Sequence, residues 1–379
     1  MMHEHVRLGR IAGVTVGFNW SVLVIFALVT LGLAAGQFPM VYPGRTTAAY
    51  ALAGLIAGML FFLSLLAHEI AHAVVARHNG VEVDGITLWM LGGVARLQGE
   101  PATPSAELRI AGVGPAVSLA LAAGFALIGV GLRAIGSAGL PTGVCMWLAT
   151  INLVLAVFNL IPAAPLDGGR LLRALLWRLR GDRVGAAVTA SRAGRRFGWL
   201  LVALGLVQFV MADPGGLWLM LLGWFITTAA TAEEQQAEVT GALAGVRVAD
   251  VMSPDPVTVP AEITVARFLD AYVFAHRHST FPVTDDGRLT GMVTLQRVKR
   301  IPVGRRATTP VGQVACPLAD VPVARSDDAL SDLLPRMTTA TDGRALVVDG
   351  DRLVGLVSPS DVVRRLEIAA LRPRRPEHT

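Results

Sequence analysis

Charged residues are scarce in this sequence of 379 residues. Asp, Glu, Lys and Arg make up 16% of the chain, whereas soluble globular domains contain about 25%. The stretch 51–66 contains no charged residue at all, and hydrophobic residues reach 53% of the sequence. We therefore expect much of the chain to face lipid, and the length allows two or three structural units.

Cysteine is nearly absent as well. Only Cys145 and Cys316 occur, which excludes a disulfide framework and a metal site built from cysteines. The N-terminus also lacks the short apolar region and small-residue cleavage site of a removable signal peptide. We expect the first apolar segment to remain as a membrane anchor.

The sequence has no basic stripe interleaved with aromatic residues, although its net charge is +5. We therefore expect no nucleic acid partner.

Between the fourth and fifth apolar runs lie Arg170, Arg173, Arg178, Arg180, Arg183, Arg192, Arg195 and Arg196. The loops of the opposite side contain only Arg45 and Arg133. The positive-inside rule then predicts a multi-pass protein of the cell membrane with both termini in the cytoplasm.

Six apolar runs approach the length of about 20 residues that a bilayer requires. They lie at roughly 20–36, 48–77, 107–132, 142–161, 196–211 and 216–231. Residues 81–97 alternate in part and predict a small β element at the membrane face, whereas residues 168–183 interleave Leu and Trp with Arg and indicate an interfacial amphipathic helix. The predicted fold class is a mainly α-helical polytopic membrane protein over residues 1–232.

The pentapeptide His-Glu-Ile-Ala-His occupies positions 68–72 inside the second apolar run. On a helix His68 and His72 lie one turn apart on the same face, so both imidazoles can bind one Zn²⁺. Glu69 is close enough to act as general base toward a water molecule at the metal. The alternative is an amphipathic helix with polar residues at helical spacing, but it does not explain a glutamate within the membrane.

A zinc hydrolase needs a third protein ligand. Asp167 is the best candidate because it follows the fourth apolar run, at the membrane depth expected for His68 and His72. Pro162 and Pro165 break the helix before it, and irregular backbone at this depth is tolerated where it lines a cavity. The alternative is that Asp167 caps the following amphipathic helix.

These motifs resemble the site-2 protease family of intramembrane zinc metalloproteases. The resemblance rests on residues 68–72, on Asn159 with Pro-Leu-Asp-Gly-Gly at 165–169, and on Gly-Pro-Ala-Val-Ser at 114–118. It implies one Zn²⁺ per chain bound by His68, His72 and Asp167. It also implies Glu69 as the base and Asn159 as a donor to the scissile carbonyl or its oxyanion. The pair Gly114 and Pro115 would be a point of close approach, or simply small-residue helix packing.

Composition changes after Ala232, and a weak internal repeat follows a predicted linker at 233–245. The copies span 246–302 and 308–369, before a basic C-terminal tail at 370–379. Each copy ends with a strand, a turn containing Gly and Asp, a second strand and a polar turn that enters a helix. We expect a soluble α/β domain.

The two copies resemble a pair of cystathionine-β-synthase-type (CBS) modules, which often bind adenine nucleotides. In the second copy Ser358 and Asp361 match the ribose-contacting pattern, whereas the first copy has Thr294 and, in place of the carboxylate, Arg297. An adenine nucleotide is therefore expected only at Ser358 and Asp361. The alternative for both copies is a capped helix after a strand.

The predicted function is an intramembrane zinc endopeptidase that cleaves a transmembrane or juxtamembrane bond of a membrane-bound regulator. The family resemblance suggests regulated intramembrane proteolysis of single-span proteins such as anti-sigma factors in bacteria. The CBS pair would control the enzyme and could form a homodimer. The alternative is a CBS-regulated ion transporter or channel, which requires a path of polar residues. The second, third and fourth spans contain few beyond residues 68–72, Ser118, Asn152 and Asn159.

Overall fold

The computed structural model describes residues 6–11, 13–89, 92–137, 139–276, 278–338 and 341–371. The chain divides into two compact units, Met1–Ala237 and Glu238–Thr379. Long helices make up most of the first unit, and short strands and helices make up most of the second. The predicted basic tail lies mainly outside the described residues.

Long helices form the membrane part. They are α1 (Ser21–Leu31), α2 (Phe38–Val41), α3 (Thr47–His78), α4 (Pro104–Ala134), α5 (Leu140–Asn159), α6 (Asp167–Arg180), α7 (Arg183–Val210) and α8 (Gly215–Leu243). A π-helical stretch, Gly32–Gln37, joins α1 and α2 into one span. Within the described residues six segments are long and apolar enough to cross a membrane, and this confirms the predicted fold class.

The last two spans are longer than the sequence predicts. Helix α7 begins at Arg183, not near residue 196, and α8 ends at Leu243, not near residue 231. The additional turns contain alanine, arginine, glutamate and glutamine, which favour a helix but lower the local hydropathy. Helix α8 therefore continues through most of the segment predicted to be a linker.

Four strands form one sheet beside the helices. Strands β1 (Val6–Ile11), β2 (Val14–Phe18), β3 (Glu82–Trp89) and β4 (Gly92–Gln98) pair in that order, with β2 parallel to β3. The hairpin of β3 and β4 confirms the predicted β element, but the prediction missed β1 and β2. The sequence signal for β2 is the alternation of Val14, Val16 and Phe18. It is easily overlooked because these apolar residues directly precede the first apolar run.

Side chains from the π-helical stretch, α2, α3 and α5 form a core cluster of the first unit. Phe38, Ala57 and Leu148 are almost completely buried in it. Thr46 and Thr103 begin α3 and α4 as N-caps, because each side chain accepts a hydrogen bond from the backbone N–H three residues later. This packing fixes α3, which contains residues 68–72, against α4 and α5.

The second unit contains two four-stranded sheets. Its strands are β5 (Ser253–Pro254), β6 (Val259–Pro260), β7 (Thr280–Asp285), β8 (Arg288–Thr294), β9 (Cys316–Pro317), β10 (Val323–Ala324), β11 (Ala345–Asp349) and β12 (Arg352–Val357). Its helices are α9 (Val265–Phe268), α10 (Phe274–His276), α11 (Leu295–Lys299), α12 (Val311–Val314), α13 (Leu330–Leu333) and α14 (Pro359–Leu371). The strand–turn–strand–helix endings of both predicted copies are present as β7–β8–α11 and β11–β12–α14.

The two copies exchange strands. One sheet has the order β10-β11-β12-β5 and the other has the order β6-β7-β8-β9. The short strand β5 precedes the first copy's other strands but pairs with β12, and β9 of the second copy pairs with β8. Each sheet is therefore completed by residues from the other half of the repeat.

Candidate metal centre and catalytic cavity

Helix α3 places the two histidines of residues 68–72 on one buried face. His68 is 3% exposed and His72 is 7% exposed, and their Nε2 atoms lie 3.1 Å apart. When both rings are in the tautomer that can bind a metal, each Nε2 carries a lone pair. At this separation the two lone pairs repel each other unless a proton or a cation lies between them. The face of α3 therefore has the arrangement that the i, i+4 spacing predicts.

Asp167 completes the cluster from the start of α6. Its Oδ2 atom lies 3.1 Å from Nε2 of His72 and 3.3 Å from Nε2 of His68. Asp167 is the first helical residue and Leu166 before it is extended, so Asp167 does not occupy the N-cap position considered from the sequence. Among the described residues these three side chains form the group with the spacing of a metal site.

The three donor atoms suit zinc in number, type and separation. A tetrahedral zinc ion with bonds of about 2.0–2.1 Å has ligand–ligand distances of about 3.3–3.4 Å. The separations of 3.1–3.3 Å are close to this value. Two imidazoles and one carboxylate also leave a fourth position open, as in catalytic zinc sites.

The carboxyl group of Asp167 is ready to bind a cation. Its burial opposes ionisation, but the adjacent imidazoles of His68 and His72 outweigh that cost and hold the pKa of Asp167 below its usual range. The carboxylate is therefore the dominant form at neutral pH.

Helix α4 contacts the other edge of both imidazoles. Nδ1 of His72 lies 2.6 Å from the carbonyl oxygen of Ile110, and Nδ1 of His68 lies 2.9 Å from Oγ of Ser118. Gly114 lies midway, and a Cβ there would overlap both Nε2 atoms. The sequence reading singled out the Gly-Pro pair but assigned no role to Ile110 or Ser118. The spacing of 110, 114 and 118, one helical turn each, was the available signal.

Glu69 faces the cavity beside this cluster. The backbone N–H of Gly93 on β4 donates a hydrogen bond to its carboxylate. A Cβ at Gly93 would overlap Cγ and Cδ of Glu69, so the strand can approach this closely only with glycine. The predicted β element thus lies directly against Glu69.

A cavity of about 520 Å³ opens next to His68, Glu69, His72 and Asp167. Asn159, the last residue of α5, lines it together with Arg170. The remaining lining is mostly apolar and comes from α3, α4, α5 and α8 with β3: Leu65, Ile110, Leu155, Phe158, Leu222, Phe225, Ile226, Ala229 and Trp89. Such a cavity suits an apolar segment whose polar backbone must reach the cluster.

The candidate nucleotide residues of the second unit interact with each other. Asp361 accepts hydrogen bonds from the backbone N–H and hydroxyl of Ser358 at 2.9 and 2.6 Å, and from the hydroxyl of Ser253 at 3.1 Å. In the first copy the Thr294 hydroxyl bonds to Asp342 of the second copy. The structure therefore brings Ser358 and Asp361 together at the start of α14, in the geometry of a capped helix.

Comparisons with known proteins agree with this description. Residues 56–138 and 133–202 match peptidase family M50, and residues 248–304 and 311–368 match the CBS domain. The chain is 47% identical to the zinc metalloprotease Rip3 of Mycobacterium tuberculosis, with 100% of this chain and 97% of that protein covered. It is 30% identical to a zinc metalloprotease of Synechocystis sp., with 97% of each covered.

Among solved structures, the chain is similar to a site-2 protease from Methanocaldococcus jannaschii. The two are 27% identical, and the match covers 60% of this chain and 94% of that chain with a TM-score of 0.42. The full-length identity to the bacterial relatives, by contrast, extends over both units. The chain therefore belongs to peptidase family M50, as a multi-pass zinc metalloprotease of the site-2 type with two CBS domains.

Proposed function

We propose that this protein hydrolyses a peptide bond within or beside a transmembrane helix of another membrane protein. In this proposal His68, His72 and Asp167 bind one Zn²⁺ per chain and Glu69 is the general base. The observation that carries it is the cluster of three donor atoms, 3.1–3.3 Å apart, beside a largely apolar cavity that several spanning helices line. Membership of a peptidase family favours proteolysis over the alternative of an ion transporter or channel.

Glu69, Gly93 and Asn159 each have a task in this reaction. Bound zinc supplies Lewis acidity, which polarises a peptide carbonyl and acidifies water. Glu69 accepts a proton from the attacking water and passes it to the leaving amine. The Gly93 N–H orients the Glu69 carboxylate, and the amide of Asn159 donates to the oxygen of the scissile carbonyl.

The substrate we propose is a single-span membrane protein, such as an anti-sigma factor, cleaved in regulated intramembrane proteolysis. The lining of Leu222, Phe225, Ile226 and Leu155 favours an apolar segment. Confinement in the cavity would bring water and polar groups to a bond that lipid otherwise shields.

The arginine distribution supports a location of both termini in the cytoplasm, with the protein in a bacterial cell membrane. A fluorescent-protein fusion at the C-terminus would test this orientation.

Cleavage of candidate single-span proteins in proteoliposomes tests the proposal directly. We expect Glu69→Gln to abolish cleavage while its zinc content stays at the wild-type level, because an amide cannot accept the proton of water. Turnover within about tenfold of wild type would show that another group is the base.

Metal analysis tests the ligand set separately. The double variant His68→Ala/His72→Ala should lose bound zinc, and Asp167→Ala should lower its affinity. Stoichiometric zinc in the double variant would contradict the assignment. The variant Ser64→Ala is a suitable control, because the Ser64 hydroxyl bonds only within α3, to the Leu60 carbonyl at 2.8 Å among its described contacts.

We further propose that the CBS pair controls proteolysis, binds an adenine nucleotide at Ser358 and Asp361, and joins two chains into a homodimer. A ligand biases such control only if it binds one arrangement more tightly than the other. Calorimetry with ATP, ADP and AMP on the 238–379 fragment should show binding that Asp361→Ala removes and Ser253→Ala retains. No binding, together with unchanged activity after truncation at Glu238, would leave the pair a tethering or dimerisation element.

A further inference from the structure

Helix α4 presents three residues to the histidine pair at intervals of one turn. Ile110, Gly114 and Ser118 are spaced i, i+4 and i+8, so they share one face of the helix. Ile110 contacts His72 and Ser118 contacts His68, with Gly114 between them. Ile110 and Ser118 therefore each contact one imidazole, and Gly114 lies against both.

The contact at Ile110 determines the proton position of His72. A carbonyl oxygen only accepts hydrogen bonds, so the short contact of 2.6 Å requires a proton on Nδ1 of His72. In the neutral ring the lone pair is then on Nε2, the atom that faces Asp167 at 3.1 Å. The backbone of α4 thus sets the tautomer that can bind a metal.

The contact at Ser118 also involves an Nδ1 atom, but its partner is a side chain instead of the backbone. Its hydroxyl is completely buried and lies 2.9 Å from Nδ1 of His68. A buried hydroxyl in an apolar span is costly unless it is hydrogen-bonded. A serine that served only for close helix packing could be replaced by alanine, which is as small and has no polar group to satisfy.

We propose that Ser118 is a positioning residue for the metal centre. Its hydroxyl accepts the Nδ1–H of His68, which holds the ring so that Nε2 points toward the position shared with His72 and Asp167. This inference rests on the proposed zinc site. Partners of this kind orient metal-binding histidines, and their removal typically lowers metal affinity by about 10–100-fold.

The test is the zinc affinity of the purified full-length protein, measured by competition with a chelator. We expect Ser118→Ala to lower it by about 10–100-fold and Ser64→Ala to leave it unchanged. Ser64 is the matched control because it is also a buried serine of a spanning helix, with its hydroxyl bonded to the helix backbone. Ser118→Thr keeps the hydroxyl and should recover most of the affinity.

Absorption of the cobalt-substituted protein adds a readout that packing alone would not change. The ligand-field bands should shift in Ser118→Ala and stay at the wild-type positions in Ser64→Ala. Wild-type affinity and wild-type bands in Ser118→Ala would overturn the inference while the zinc site stands, as would equal losses in the Ala and Thr variants. Failure of the wild type itself to bind zinc would overturn both.

Discussion

Gly93 and Gly114 lie against Glu69 and the two histidines from two different elements, β4 and α4. Gly93 contacts the side chain of Glu69, and Gly114 contacts the Nε2 atoms of His68 and His72. In both places any side chain would occupy the volume of a reactive group. At the scale of single residues, the geometry of this cluster therefore depends on the absence of a Cβ at Gly93 and Gly114 as well as on the polar side chains themselves.

Gly93→Ala should reduce catalysis without removing zinc. The added methyl group would displace the Glu69 carboxylate, and a misplacement of about 1 Å can lower the rate about 100-fold. We expect kcat to fall by roughly this factor while zinc content is retained, as measured by proteolysis and metal analysis of the same preparation. A kcat within a few-fold of wild type would show that Glu69 can move without consequence.

Gly114→Ala should have the opposite pattern, with loss of the metal itself. The methyl group would lie where both imidazoles direct Nε2, so the histidines cannot keep their present separation of 3.1 Å. Gly124→Ala is the matched control, because it makes the same change in α4 where a Cβ meets no described atom within 4 Å. Equal zinc content in the two variants would contradict the expectation.

At the scale of elements, the position of α6 matters most because the helix begins at Asp167. Arg173, two turns later, donates through Nε to Glu107 of α4 at 2.6 Å and lies 3.8 Å from Glu233 of α8. Glu107 is completely buried. The ion pair therefore ties α6, which begins with the proposed ligand Asp167, to α4, whose Ile110 and Ser118 contact the two histidines of α3.

Arg173→Ala should destabilise the first unit strongly. Removing one partner of a buried ion pair leaves an uncompensated charge and typically costs about 3–5 kcal/mol. We expect a clear decrease in the unfolding midpoint in detergent, whereas Glu107→Leu/Arg173→Met should recover much of the loss. Arg109→Ala is the control, because exposed Arg109 of α4 bonds to the neutral Asn79 side chain at 2.6 Å. Equal effects of Arg173→Ala and Arg109→Ala would refute the role of burial.

At the scale of the whole molecule, the boundaries of the sequence repeat differ from the boundaries of its cores. Three valines at the start of the first copy are buried together with Leu330 and Val347 of the second copy: Val246, Val248 and Val251. The strand β5 also pairs with β12. The two copies therefore share their cores, and neither predicted segment contains a complete one.

This sharing predicts that the second unit unfolds in one step. In urea, the 238–379 fragment should show a single transition by circular dichroism, because each sheet needs a strand from the other copy. A fragment that begins at residue 256 contains the whole second copy but lacks β5 and the three valines, and we expect it to be less stable. Equal midpoints for the two fragments would mean that the second copy folds without these residues.

Sequence patterns determined the features that depend on local periodicity. Hydropathy predicted six spans because a long apolar run is stable in the hydrocarbon core of a bilayer. The i, i+4 spacing predicted that His68 and His72 share a face of α3. The strand–turn–strand endings of the repeat were predicted for the same reason, since alternation and turn residues are short-range signals. The role of each residue in the metal centre stays a prediction.

Tertiary structure alone decided which distant segments meet. The contacts of Ser118 and Ile110 with the Nδ1 atoms of the two histidines, and the exchange of β5 and β9, join residues that are far apart in the chain and that the sequence did not pair. Periodicity assigns a residue to a face but not to a partner. The partners follow from close packing of whole helices and sheets, in which glycines such as Gly114 set how near two elements can come.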